Sequence, residues 1–384
     1  SGTYLNGFLN GKELTVLGEE GWYYHVRILI GGEVKTGYMH KLLVYITSPT
    51  PDPTTTTTKP STTEPTTQPT VPARTFSDDT YVIKNMFSKK FLSDNPSKDK
   101  AVQYSLGSYN HWTLVYKPSS GYYEIILGGS PTNRFALWVE NAGTTNGTDV
   151  QTLPRDSSTA QRFRFISSGS GTYRIVPQNA QDKVLDVRGP LPYDDVQIQL
   201  WDWMDVSQQK WKLALANAFL DEKSGNVCGL ASQAVTIRLI GLTTKNSIWS
   251  PIIETSRNVW NNSEASVNIT TTETASSNHT LEVAIFEGDQ DGKCIQYCDS
   301  NGVTVFSRIE INLWGESNLD TTTNNNLRQA AVSHEMGHLF WLSDNPISRS
   351  NATVRSLMEY DDVYKRGIYT PQSFDVNNVK FIYE

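Results

Sequence analysis

Apolar residues recur along this chain at two periods. From 13 to 40 they fall in short runs broken by glycine: Leu14-Thr15-Val16-Leu17, Trp22-Tyr23-Tyr24-His25-Val26 and Tyr38-Met39. Such runs read as strands joined by turns. From 75 to 215 comparable runs return three times. They extend from Tyr81-Val82-Ile83 to His111-Trp112, from Tyr123-Glu124-Ile125 to Gln161-Arg162-Phe163, and from Tyr173-Arg174-Ile175 to Gln209-Lys210-Trp211. A spacing of about 40–50 residues marks a repeat architecture of short strands. Beyond 216 the pattern is mixed. Strand-like runs at 235–240, 266–271, 281–286 and 307–313 accompany a helix opened by Ser250 as N-cap, with Pro251 in its first turn. A second helical stripe joins Leu327, Ala330 and Ala331 to His334 and His338, and 375–382 reads as a closing helix.

Between these regions, 48–74 is proline and threonine with almost nothing apolar. It cannot bury enough surface to offset its ordering entropy, so it is expected to be an extended, mobile spacer. The expected domains are therefore 1–47, all-β and small; 75–215, all-β and threefold; and 216–384, α/β with a mixed sheet.

The 384 residues carry a formal charge of −7, which argues against a general nucleic-acid binder. No apolar run is long enough to span a bilayer. Of three cysteines, Cys294 and Cys298 lie close together and suggest a small disulfide-closed loop, with two free thiols as the alternative and Cys228 left over. That sparing use fits a bacterial secreted or cell-surface protein.

The candidate chemistry lies in His334-Glu335-Met336-Gly337-His338. Two histidines four apart on a helix share one face, where both can ligate a single Zn²⁺. Glu335 then stands beside the metal, where a general base must sit to deprotonate a water that the ion polarises. A catalytic zinc needs a third protein ligand. The run from His334 to Asp344 resembles the metzincin zinc-protease pattern in its snapalysin-like branch, which implies Asp344 as that ligand and one catalytic Zn²⁺. Met358, in Ser356-Leu357-Met358-Glu359-Tyr360, resembles the family's Met-turn, an apolar floor under the metal. Tyr360 would then assist the oxyanion. One position departs from the pattern, because Trp341 stands where glycine is usual. Asp344 reaches the metal only if the helix breaks after His338, and a bulky residue in the left-handed conformation costs about 1–2 kcal/mol. Glu359 is the alternative ligand. A structural Ca²⁺ is not indicated. In metzincins the last strand before the zinc helix borders the cleft, so 303–314 is expected to offer backbone groups to an extended peptide.

The repeat endings resemble the Gln-x-Trp signature of ricin B-type β-trefoil lectins, complete only in Gln209-Lys210-Trp211. The resemblance implies sugar binding, with galactose or N-acetylgalactosamine as the sugar type, by Asp186, Gln199, Trp201 and Gln208. The second copy has Trp138 and Leu153 in place of the aspartate and aromatic, and the first has Ser93 and Ser105. Residues 1–47 resemble part of a bacterial SH3-type barrel, which implies cell-wall or peptide binding. Together these imply a secreted zinc endopeptidase carried to glycosylated, mucin-like protein by its lectin domain. A carbohydrate- or wall-binding adhesin with a vestigial protease half is the alternative, and a cell-wall amidase a third reading.

Overall fold

The computed structural model describes residues 15–20, 23–30, 33–40, 74–107, 110–128, 134–219, 228–274, 277–299, 302–344 and 354–384. The expected spacer at 48–74 lies outside them except for Arg74. The chain forms two compact units, Ser1–Gln68 and Pro69–Glu384. The first holds a three-stranded antiparallel meander, β1 (Thr15–Glu20), β2 (Tyr23–Ile30) and β3 (Glu33–His40).

The second unit begins with twelve strands, four to each sequence repeat. They are β4 (Thr80–Asn85), β5 (Phe91–Asn95), β6 (Lys100–Tyr104) and β7 (His111–Lys117); then β8 (Tyr122–Leu127), β9 (Phe135–Val139), β10 (Val150–Pro154) and β11 (Arg162–Gly169); then β12 (Thr172–Pro177), β13 (Lys183–Val187), β14 (Val196–Asp202) and β15 (Trp211–Leu215). The first and last strands of each repeat pair in the cycle β4, β7, β8, β11, β12, β15 and back to β4, closing a six-stranded barrel. The inner two strands of each repeat form hairpins. Closure removes the sheet edges. The repeat endings Trp112, Phe163 and Trp211 are fully buried. Gln161 and Gln209 make the same clamp, each amide donating to a carbonyl seven residues earlier and accepting an amide five residues earlier.

The remaining residues form a five-stranded sheet in the order β17 (Asn268–Thr272), β16 (Ala234–Ile240), β18 (His279–Ala284), β20 (Thr304–Asn312), β19 (Gly292–Cys298). All neighbours are parallel except β19, which runs antiparallel along β20. Helices α1 (Trp249–Asn261) and α2 (Asn325–His338) pack on the sheet, and α3 (Tyr360–Arg366) and α4 (Ser373–Tyr383) follow. This mixed α/β layer agrees with the element order expected for 216–384.

Three expectations are corrected. The strand at 304–312 is interior, flanked by β18 and β19, so the free edge on that side of the sheet belongs to β19, where the sequence suggests a disulfide loop. Cys294 and Cys298 do not pair, because four residues of strand set them about 13 Å apart, beyond disulfide reach. Cys298 instead bonds Cys228, at a Cα separation of 6.2 Å, and Cys294 is free. Ser250 does not cap α1. The N-cap is Ile248, and the Asn246 side chain accepts from the amides of Ile248 and Trp249 at 2.9 and 2.8 Å.

The trefoil has its own core around Trp112, Phe163 and Trp211, and two of its buried residues also enter the core of the α/β layer. Val82 and Phe91 from the trefoil join Phe219 and Phe381, whose rings stack at 5.7 Å. Lys84, buried in β4, donates to the carbonyls of Phe381 and Ile382 at 2.6 and 2.9 Å, satisfying the C-terminal end of α4. The two domains are packed together rather than tethered.

Candidate metal centre and sugar site

Helix α2 starts where the Asn324 side chain accepts from the Asn326 amide, and it ends at His338. Its buried stripe of Ala330, Ala331 and Met336 faces the core and fixes the rotation that turns both histidines to one side. Each imidazole is oriented by a carbonyl. His334 Nδ1 donates to Leu357 O at 3.0 Å and His338 Nδ1 to Leu342 O at 2.8 Å, so both Nε2 atoms face the centre.

The chain leaves the helix immediately. Trp341 adopts φ 68°, the left-handed conformation, and the turn swings Asp344 back over the helix end. Asp344 Oδ1 lies 2.7 Å from His334 Nε2 and 3.3 Å from His338 Nε2. Burial works to raise the Asp344 pKa, yet the two imidazoles hold its carboxyl well below the usual range. His338 is pushed up to about 9, with burial opposing and Asp344 prevailing. Ser343, beside Asp344, donates its amide to Ala218 O at 3.0 Å and its hydroxyl to Asn217 O, so the exit turn of the trefoil braces this loop.

Glu335 is buried against the edge strand, where a Cβ on Gly292 would stand 2.6 Å from its Oε1. Its Oε2 has no hydrogen-bond partner and lies 3.8 Å from His338 Nε2. Burial raises its pKa above the usual glutamate value. Gln296 of β19 donates to His338 O at 3.2 Å, tying that edge to the helix end. Met358 is fully buried beneath α2, its sulfur 2.5 Å from where a Cβ on Gly337 would sit. The turn carrying it is held by two buried carboxylates. Asp375 accepts from the Ser356 hydroxyl and from the Leu357 amide at 2.8 Å, and Asp362 accepts from the Ser356 amide at 3.0 Å.

His334, Glu335 and His338 together could hold a metal ion. Asp344 Oδ1 lies nearer to His338 Nε2, at 3.3 Å, than Glu335 Oε2 does at 3.8 Å, and it also reaches His334 Nε2. Two oriented nitrogens, a carboxylate between them and an orphaned buried carboxylate oxygen beside them suit Zn²⁺. Glu359 is the N-cap residue of α3. The Tyr360 phenol donates to Glu316 Oε2 at 2.5 Å.

In the trefoil, Asp186 and Gln199 are directly paired across β13 and β14, and Gln199 Nε2 donates to Asp186 Oδ1 at 3.0 Å. Trp201 lies two residues along β14 on the same face. Arg188 donates to Gln199 Oε1 at 3.0 Å. Burial, against hydrogen bonds from Gln199 and Gln209, raises the Asp186 pKa to about 6. Gln208 follows on the next turn, its carbonyl taken by Asn85 at 2.9 Å. Strand register corrects the first copy. Val184 faces Trp201 and Phe91 faces Tyr104, so Tyr104, 42% exposed, occupies the aromatic position rather than Ser105. Ser93 still stands where Asp186 would be.

A family model described as "Ricin-type beta-trefoil lectin domain-like" matches residues 108–201. Residues 108–201 of the trefoil are thus ricin B-type lectin-like in sequence. Among solved structures, the designed threefold-symmetric protein ThreeFoil is 26% identical over 35% of this chain and 97% of its own, with a TM-score of 0.32. The exo-β-1,3-galactanase 1,3Gal43A from Clostridium thermocellum is 26% identical over 36% of this chain and 30% of its own, also with a TM-score of 0.32. The Macrolepiota procera ricin B-like lectin, solved with lactose, is 18% identical over 37% of this chain and 99% of its own, with a TM-score of 0.30. No curated protein matches the chain.

Proposed function

We propose that this protein binds carbohydrate through its trefoil and cleaves peptide bonds at the His334, His338 and Asp344 centre, acting outside the cell or at its surface on glycosylated protein. Carbohydrate binding has the wider support, from the lectin family match over 108–201. Within it, the third copy carries the site, because it alone sets carboxylate, amide and indole on one hairpin in register. The C–H face of a galactose-type ring would stack on Trp201 while its hydroxyls reach Asp186, Gln199 and Gln208. Calorimetric titration with galactose and N-acetylgalactosamine tests this. Trp201→Ala should abolish binding, and wild-type protein that takes up neither sugar nor any glycan on an array would remove this half of the reading.

The hydrolytic half rests on one observation, the Asp344 oxygen set between two Nε2 atoms. His334, His338 and Asp344 would hold the zinc, which when bound supplies Lewis-acid polarisation of a water and of the scissile carbonyl. Glu335 is placed to take the proton of that water and to hand it to the leaving amine. Its raised pKa brings it nearer to neutral pH, as both transfers require. The free edge of β19 would receive the extended peptide by strand pairing beside Glu335. Tyr360 would have to leave Glu316 to reach the developing oxyanion.

The second reading keeps carbohydrate or wall binding and drops hydrolysis, leaving an adhesin with a vestigial protease half. The family match covers the lectin domain alone, which favours it. Metal analysis and a casein cleavage assay, with Glu335→Ala beside wild type, separate the two. Zinc-free protein without chelator-sensitive cleavage leaves the adhesin.

A further inference from the structure

We propose that Trp341 is a positioning residue for the third ligand, and that its left-handed backbone is held by a slot built for its indole between Gly229 and Gly302. This rests on the zinc reading of the centre. Asp344 reaches the histidines only because the chain turns back at Trp341, and for a bulky side chain that conformation must be stabilised from outside. The slot supplies the stabilisation. A Cβ on Gly229 would lie 2.2 Å from the indole, and one on Gly302 would lie 3.3 Å from its far edge. The indole is buried, and its Nε1 donates to Leu230 O at 3.0 Å. The walls are themselves fixed. Gly229 and Gly302 are joined by a backbone hydrogen bond of 3.3 Å, and Leu230 N donates to Leu339 O at 2.8 Å, just before the turn. Cys228, next to Gly229, is bonded to Cys298 at the end of β19. A glycine at 341 would make the turn without a slot. This chain has a tryptophan at the turn and glycines opposite, so at Gly229 the missing Cβ supplies room for the indole instead of the turn itself.

The test is a rescue. Zinc dissociation constants are measured by competition with a chromophoric chelator for wild type, Gly229→Ala, Trp341→Gly and the double variant, with circular dichroism checking the fold. Gly229→Ala expels the indole and should weaken zinc binding about 10- to 100-fold, the usual effect of losing a group that orients a ligand. Trp341→Gly removes the indole that Gly229→Ala expels and makes the turn through glycine's own conformational freedom, so the double variant should bind zinc as Trp341→Gly does and recover most of the loss. Hydrogen exchange at 339–344 follows the turn without metal and should rise in Gly229→Ala and fall back in the double variant. A folded Gly229→Ala protein with wild-type zinc affinity, or a double variant no better than Gly229→Ala, overturns the proposal. Wild-type protein that binds no zinc overturns the metal reading instead, and the exchange comparison alone then decides whether the slot holds the turn.

Discussion

Asp344 Oδ1 lies 2.7 Å from His334 Nε2, although ten residues and the end of a helix separate them. On a continuous helix those side chains would be about 80° out of phase, so the contact exists only because the chain reverses at Trp341. Asp344→Ala should therefore lower zinc affinity by at least about 100-fold. Glu335→Gln should keep the zinc and lose about 10²- to 10⁴-fold in cleavage rate, the worth of a general base. Equilibrium dialysis with metal analysis, alongside peptide cleavage, separates the two effects. Zinc retained in full by Asp344→Ala would transfer the third position to another carboxylate.

Sugar binding should weaken as pH falls through about 6, because burial raises Asp186 to that value and a protonated carboxyl loses acceptor capacity for a sugar hydroxyl. Stability moves the other way. The folded pKa exceeds the unfolded value of 3.8, so the native state holds more protons between the two values and unfolding free energy falls as pH rises through that window. Asp186→Asn should remove both dependences. Calorimetric titrations at pH 5 and 7, with unfolding curves at the same values, check the pair.

Asp375→Ala should cost about 3 kcal/mol or more, because it leaves the Leu357 amide and the Ser356 hydroxyl buried without their acceptor. The effect should reach the centre, since the Leu357 carbonyl orients His334. Zinc affinity about tenfold weaker, together with the lower urea midpoint, is the expected combination. A stability loss with zinc affinity untouched would confine Asp375 to the fold.

Burial, with Lys89 and Lys212 nearby, lowers the Lys84 pKa to about 7, against the pull of Glu384. The unfolded chain then binds more protons between about 7 and 10.5, so stability should rise with pH across that range. Thermal unfolding of wild type and Lys84→Met from pH 6 to 9 would show it. The variant should lose the slope, and an unchanged slope would assign it to other groups.

How much of this was legible in the sequence depended on the reach of each contact. The histidine helix is readable because its stripe and its histidine pair repeat within one element, and the three repeats because their endings recur. Trp341 announced a difficulty whose solution lies more than a hundred residues earlier, at Gly229, where nothing local marks a slot. Cys228 and Cys298 are likewise 70 residues apart, whereas the nearer Cys294 offered a false partner. Strand β19 was missed because its burial scarcely alternates, as expected of an edge. Ser105 stands one residue past the aromatic position of the first copy, which only the pairing of Phe91 with Tyr104 reveals.

The contact of Lys84 with the end of α4 fixes the trefoil against the layer that carries β19, much as a jig holds two parts. On the proposed function, a glycan seated at Trp201 and a backbone lying along β19 would be held at one spacing, so the distance from sugar to scissile bond would be set by the protein rather than by the substrate. Such a protein would read position along a decorated chain as well as chemistry, cutting at a set reach from each ornament.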